Sequence, residues 1–205
     1  MFALPAFVSL ALLAFWSTTV FAVAEIVERR RYGTARAPSA AAFVAVAVVA
    51  GEVAAYPTSL AVAAVVVATI AAAEVDARRG YLFDAITLPM CAIALANALR
   101  PEWTDTACAG AILFGGTFAV IHYVSRGRAI GLGDVKVLFA LGAAFGPGVA
   151  LLCILVASIS GSAVALVARL RDGRAKPIAF GPYLAFGAFV GFVAGPTFVR
   201  LALQT

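Results

Sequence analysis

Residues 135–169 read VKVLFALGAAFGPGVALLCILVASISGSAVALVAR. The stretch carries charge only near its ends, at Lys136 and Arg169, and is otherwise apolar or small. Its one internal break is Gly146-Pro147-Gly148. No water-soluble helix presents a face this uniform to solvent; apolar all round means buried in a large core or in lipid. The break divides it into runs over 135–146 and 148–169. The first is short: twelve residues at a 1.5 Å rise reach about 18 Å, against about 30 Å of hydrocarbon. It is either a half-span or continuous with its neighbour.

The rest of the chain has the same character. Of 205 residues, 64% are hydrophobic and 12% charged, and mean hydropathy is +1.04. A soluble domain is about half apolar and about a quarter charged, and a chain this short cannot hide the excess in one aqueous core. Disorder is excluded on the same ground. Further apolar runs cover about 2–24, 39–56, 58–75, 85–99, 105–124 and 178–200, separated by Tyr56-Pro57, by 76–84, by Arg100-Pro101-Glu102, by 125–133 and by 170–177. The expected fold is all-α: a single polytopic membrane bundle over 1–205 with about eight transmembrane segments, the sixth short. Ala22-Val23-Ala24 resembles a signal-peptidase site, but no Lys or Arg precedes the run, so a retained first helix is expected.

Charge orients the threading. With the N-terminus outside and strict alternation, the inner side holds Arg29, Arg30, Arg31, Arg36, Arg78, Arg79, Arg126, Arg128, Lys136, Arg169, Arg171, Arg174 and Lys176. Only Arg100 and Arg200 fall outside, so both termini are expected outside. The net charge of +5 thus serves anionic lipid at the cytoplasmic face. No basic stripe interleaved with aromatics suggests nucleic acid as a partner. Cys91, Cys108 and Cys153 lie in apolar runs without a C-x-x-C, and His122 stands alone, so no metal site or cofactor is indicated.

Acids at membrane depth are costly and mark functional candidates. Glu25, Glu28, Glu102, Asp105 and Asp172 fall in or near loops. Glu52 and Glu74 are read as structural partners of loop arginines. Asp76 ends the third helix and Asp134 opens the sixth, both at the cytoplasmic boundary. Two carboxylates brought together there can share one proton and act as acid and base on a water molecule. A helix N-terminus favours charge on Asp134 and a helix C-terminus favours the neutral form of Asp76, so Asp134 is the expected resting base. The bland alternative is two boundary acids, one a helix cap and one a neighbour of Arg78 or Arg79.

The flanking sequence weighs against the bland alternative. Gly131-Leu132-Gly133-Asp134-Val135-Lys136 resembles the GxGD motif of intramembrane aspartyl proteases, and GLGDVKVLFALGAAFG resembles the type IV prepilin peptidase family in particular. Asp76 is followed eight residues on by Asp84-Ala85-Ile86-Thr87, similar to that family's second catalytic segment. Phe83 stands where the family usually has proline. Pro177-Ile178-Ala179-Phe180-Gly181-Pro182-Tyr183-Leu184-Ala185-Phe186-Gly187 resembles its I-P-F-G-P-x-L-A-x-G stretch with a shift near the start. The resemblance is strongest over residues 70–190.

The resemblance implies an aspartic endopeptidase with Asp76 and Asp134 catalytic. Its substrates would be prepilin-like precursors (pilin, pseudopilin or preflagellin), cleaved just after a glycine that ends a short basic leader. The work would be done at the cytoplasmic boundary of the inner membrane in a type IV pilus or related system. Gly131 and Gly133 would leave room for an extended peptide. Lys136 either holds Asp134 ionised or snorkels to headgroups. Asp84 is expected to cap the fourth helix, with substrate contact as the alternative. Gly181 and Pro182 either shape the site wall or break the last helix near its start. The short 29–37 loop lacks the paired C-x-x-C motifs linked to N-methylation, which implies a peptidase-only form. Competing readings are a small proton- or cation-coupled transporter or channel component, a GxGD peptidase with another membrane substrate, and a non-catalytic assembly scaffold.

Overall fold

The computed structural model describes residues 5–55, 60–172 and 178–203. The Tyr56-Pro57 break, Arg174, Lys176 and Pro177 lie outside them. The described residues are all-helical: α1 (Ala6–Tyr32), α2 (Ala40–Ala55), α3 (Leu60–Arg79), α4 (Asp84–Ala98), α5 (Thr104–Val124, with a π-helical turn over Ala111–Gly116), α6 (Leu132–Asp172) and α7 (Gly181–Leu203). Four stretches are long and apolar enough to cross a membrane: Ala6–Tyr32, Leu60–Arg79, Thr104–Val124 and Leu132–Arg171. The shorter apolar helices are Ala40–Ala55, Asp84–Ala98 and Gly181–Gly195.

α3 is the axis of the bundle. Val65, Val66, Val67, Ala68 and Ala71 are fully enclosed, and α1, α2, α4, α6 and α7 all pack on it. The outer surface is the inverse of a soluble protein's. Phe7, Phe15, Ile112, Val124 and Leu170 are each at least 70% exposed, which suits a hydrocarbon surround and not water.

α6 is not a straight rod. Gly146 takes φ 70°, ψ 175° inside it, followed by Pro147. A side chain is strained at that φ, and a Cβ there would also meet Thr106 at 2.5 Å. The packing shows which way the chain turns. In the first leg, Phe139 lies against Gly115, Gly142 against Gly110 and Gly146 against Thr106. In the second, Val149 lies against Gly195, Cys153 against Gly187 and Gly191, and Gly161 against Tyr183. Gly181 touches Asp76, so residue 161 has returned to the end of the bundle where α6 began. The two legs, 132–145 and 147–172, therefore form a hairpin about one glycine. The short sixth run is neither a rod fused to its neighbour nor separated from it by a loop.

Helix contacts are made through backbone where glycines face each other. A Cβ on Gly110 would sit 2.1 Å from the Gly142 carbonyl oxygen, and one on Gly142 would sit 2.3 Å from that of Gly110. Close approach of this kind, where lipid offers no hydrophobic drive, rests on small residues.

At one pole the C-terminal ends of α1, α3 and α5 meet the N-terminal ends of α4, α6 and α7. Glu28, 1% exposed, accepts from Arg79 Nε at 3.1 Å and Arg78 Nη1 at 3.4 Å. Arg78 also donates to Glu74 at 2.6 Å and to the Arg36 and Ala37 carbonyls, and Ser39 Oγ donates to Glu74. The 33–39 loop is thereby tied to α3. Glu74 is a structural partner as expected. Glu28, read as an ordinary loop-side acid, is instead a buried junction of α1 with α3. His122 Nδ1–H donates to the Ile130 carbonyl at 2.8 Å and closes the α5–α6 turn.

The glycine seam makes a direct prediction. Gly110→Ala and Gly142→Ala should each sharply lower the yield of folded protein in detergent, measured by monodisperse fluorescence size-exclusion. Gly116→Ala, whose Cβ would find its nearest neighbour 3.9 Å away at Ile112 Cγ2, should match wild type.

Candidate active site

α3 ends because Gly80 takes φ 65° and donates its N–H to the Asp76 carbonyl at 2.7 Å, an αL stop that a side chain would strain. Residues 81–83 are non-helical. Phe83, at φ −80°, ψ 133°, then offers its carbonyl to the Ile86 and Thr87 N–H groups and α4 starts. That φ is one a proline also adopts, so the departure from the family's proline leaves the backbone path open. Asp76 thus stands in the last full turn of α3, 6% exposed. α6 starts at Leu132 and puts Asp134 in its first turn.

These two carboxylates line one cavity of about 200 Å³ at the basic pole, with Gly80, Tyr81, Leu82, Asp84, Gly131, Leu132, Gly133 and Lys136. The sequence pairing of Asp76 with Asp134, across 57 intervening residues, is therefore a spatial one. The cavity's exposed lining residues, Gly80, Tyr81, Asp84, Gly131 and Leu132, mark its mouth.

Asp76 has a partner that nothing in the linear sequence indicates. The Gly181 N–H donates to its Oδ2 at 2.8 Å, so the first amide of α7 points at a buried carboxylate, a favourable place for an anion. A Cβ on Gly181 would lie 2.7 Å from that oxygen and 2.9 Å from Asp76 Cβ, so glycine is the residue that fits. Asp76 consequently sits at the C-terminus of one helix and the N-terminus of another. Helix-end electrostatics does not separate it from Asp134 in the way the sequence suggests. Gly181, at the very start of α7, touches Asp76 and is not among the residues that line the cavity. Pro182 follows at the second helical position, where its missing N–H costs no intrahelical bond.

The remaining candidates are placed as follows. Asp84 makes no side-chain cap; its Oδ1 accepts from Lys136 Nζ at 2.5 Å. Asp84 thus makes an ion pair in place of a cap, and the Lys136 ammonium has Asp84 as its carboxylate partner. Lys136 lies two residues past Asp134 on α6 and lines the same cavity, with its Nζ on Asp84 of α4. The ion pair joins the start of α4 to the start of α6 across the cavity mouth, with Asp84 exposed. Gly133 packs under Leu82, where a Cβ would come within 2.7 Å of Leu82 Cβ. The space at that glycine is filled by the chain itself. Gly131 is exposed at the mouth, 3.2 Å (Cβ position) from Asp134 Oδ2.

Comparison with known proteins identifies the family. The profile of the type IV leader peptidase family matches residues 63–166, which contain both aspartates, Asp84 and Lys136. A prepilin leader peptidase/N-methyltransferase of Burkholderia pseudomallei is 36% identical over 143 residues, 65% of this chain and 46% of that protein. The leader peptidase HopD of Escherichia coli is 37% identical over 127 residues, 56% of this chain and 80% of HopD. HopD of Salmonella typhimurium is 37% identical over 124 residues, with the same shares. The chain spans about half the length of the Burkholderia relative it matches. No solved structure matches it. With a family profile covering half its length, and apolar helices across the rest, this integral membrane protein belongs to the type IV leader peptidase family.

Proposed function

We propose that the chain is a membrane-embedded aspartic endopeptidase that removes the short basic leader from prepilin-like precursors. The observation that carries this reading is the shared cavity of Asp76 and Asp134, on a chain whose relatives are named as leader peptidases. The bundle would sit in the inner membrane with its basic pole in the cytoplasm. Eight crossings, counting the legs of α6 separately, then put both termini outside and satisfy the positive-inside rule. Lipid is its surround, and the precursor its partner.

Chemistry follows from two carboxylates and one water. The Gly181 N–H occupies Asp76 Oδ2, leaving Oδ1 for a proton or for water. The ionised member of the pair polarises the water, which attacks the scissile carbonyl carbon. The ionised member takes the water's proton as the protonated member donates to the carbonyl oxygen; the proton taken from water then passes to the leaving amine as the C–N bond breaks, and the re-forming carbonyl returns the other proton to the pair. Which aspartate holds the proton at rest is a property of the pair. A precursor whose apolar helix lies in the bilayer beside α3 and α6 would bring its leader junction to the depth of the cavity. Gly131 at the mouth, and Asp84 and Lys136 bridging it, would border the bound leader; Gly133 would act through Leu82. The absence of paired cysteines in the 33–39 loop, which is bound instead to Arg78 and Arg79, favours peptidase activity without N-methylation.

Two outcomes test this. In membranes co-expressing the chain with a prepilin-like precursor, wild type should convert the precursor to a faster-migrating product. Asp76→Asn and Asp134→Asn should each abolish conversion at unchanged membrane abundance. Retained cleavage in either variant contradicts the dyad. Gly181→Ala, which drives a methyl against Asp76, should lower kcat about 100-fold, read as the rate of product formation at saturating precursor. Pro182→Ala, outside that contact, should stay within about threefold of wild type.

A further inference from the structure

The loop that forms one wall of the cavity, 80–83, has few bonds of its own. Gly80 closes α3, Tyr81 is 47% exposed, and the α4 N-terminus has no side-chain cap. What fixes the loop comes from α1, whose end lies about 50 residues before it and outside the stretch that matches the family. The Arg31 guanidinium lies 4.9 Å from the centroid of the Tyr81 ring and 6.0 Å from that of Phe83. The Tyr32 ring lies 6.4 Å from Phe83, and Tyr81 lies 5.9 Å from Phe83. Phe83 is left 2% exposed. Arg79, at the end of α3, completes the cluster with its guanidinium 4.5 Å from the Tyr32 centroid while its Nε holds buried Glu28 of α1.

The end of α1 therefore grips both flanks of the loop: α3 through Glu28, Arg79 and Tyr32, and the loop itself through Arg31, Tyr81 and Phe83. Aromatic and cation–π contacts of this kind are directional, and each is worth more where water is thin. A shift of Tyr81 or Leu82 changes the cavity wall and, through Leu82 against Gly133, the height of the Asp134 turn. We propose that Arg31 and Tyr32 are positioning residues for the active site, holding the 80–83 loop so that Asp76 and Asp134 keep their mutual placement. This deepens the peptidase reading above and rests on it for its catalytic consequence, though the contact itself does not.

The test has two readouts so that the two ideas fail separately. In purified full-length protein in detergent, hydrogen–deuterium exchange of the peptide covering 80–86 is compared among wild type, Tyr32→Ala, Tyr32→Phe and Arg31→Ala. Both alanine variants should raise exchange there. Tyr32→Phe, which keeps the ring, should not. Precursor cleavage by the same proteins should show kcat lowered about tenfold or more in Tyr32→Ala with KM within about twofold, and wild-type values in Tyr32→Phe. Arg29→Ala, whose side chain pairs among the described residues with half-buried Glu25 on the same helix, serves as the control with wild-type values throughout. Arg31 and Tyr32 are themselves exposed, and Tyr32→Phe, which keeps a ring on buried Phe83, separates loss of the contact from loss of the fold. Unchanged exchange at 80–86 in both alanine variants overturns the proposal, as does raised exchange with unchanged kcat. Raised exchange in a chain whose wild type cleaves no precursor upholds the contact and counts against the peptidase reading instead.

Discussion

A carboxylate enclosed at the end of a helix that is itself enclosed must be given a hydrogen-bond partner, because water cannot reach it freely. Asp76 is in that position, and its partner is the backbone N–H of Gly181. Much of the architecture serves to deliver that amide. α7 must start at the pole where α3 ends. The chain entering it must therefore have returned to that pole, which the hairpin about Gly146 accomplishes. Glycine at 181 is what lets the backbone come within reach. The same hairpin places Asp134 at the start of its first leg, so one topological device brings Asp134 and the Gly181 amide to the pole where α3 holds Asp76.

The pole is polar in composition but not loosely built. Glu28 takes two arginines, Arg78 binds loop carbonyls as well as Glu74, and Lys136 is committed to Asp84. Basic residues that a charge count assigns to lipid headgroups are thus partly spent on fixing helix ends. The result is a set of helix ends tied to one another around the two carboxylates. The lipid-facing side has no comparable order to supply: its exposed phenylalanines and leucines need only be apolar.

Legibility in the sequence followed the range of the interaction. Apolar runs marked the helices because lipid enforces composition residue by residue, and Gly146-Pro147-Gly148 marked the turn in α6. The run edges were short of the helices at α1 and α3, since Arg29, Arg30 and Arg31, and Asp76, Arg78 and Arg79, are charged yet remain helical. Charge ends a membrane run without ending a helix. The aspartate pair was legible through motif context, which encodes what is local to each acid. Three things were not legible. Asp84 has a cap residue's identity at the position after the cap, and its partner Lys136 is 52 residues away. Glu28 resembles any interfacial glutamate until α3 is laid beside it. Gly181 as the partner of Asp76, 105 residues distant, follows only from the fold. The proton assignment drawn from helix ends failed to separate the two acids for the same reason, since it counted the helix that carries Asp76 and not the helix that points at it.

The central claim is that α3 and the first leg of α6 present Asp76 and Asp134 to one small cavity. The most direct test is a cross-link between those positions. In a chain with Cys91, Cys108 and Cys153 replaced by serine, Asp76→Cys and Asp134→Cys are combined and a protease site is inserted in the 125–130 turn. Treatment with a short bis-methanethiosulfonate, then proteolysis, should leave the two fragments joined on a non-reducing gel and separate them on reduction. Fragments that part without reduction, although mass spectrometry shows each thiol singly modified, would contradict a shared cavity.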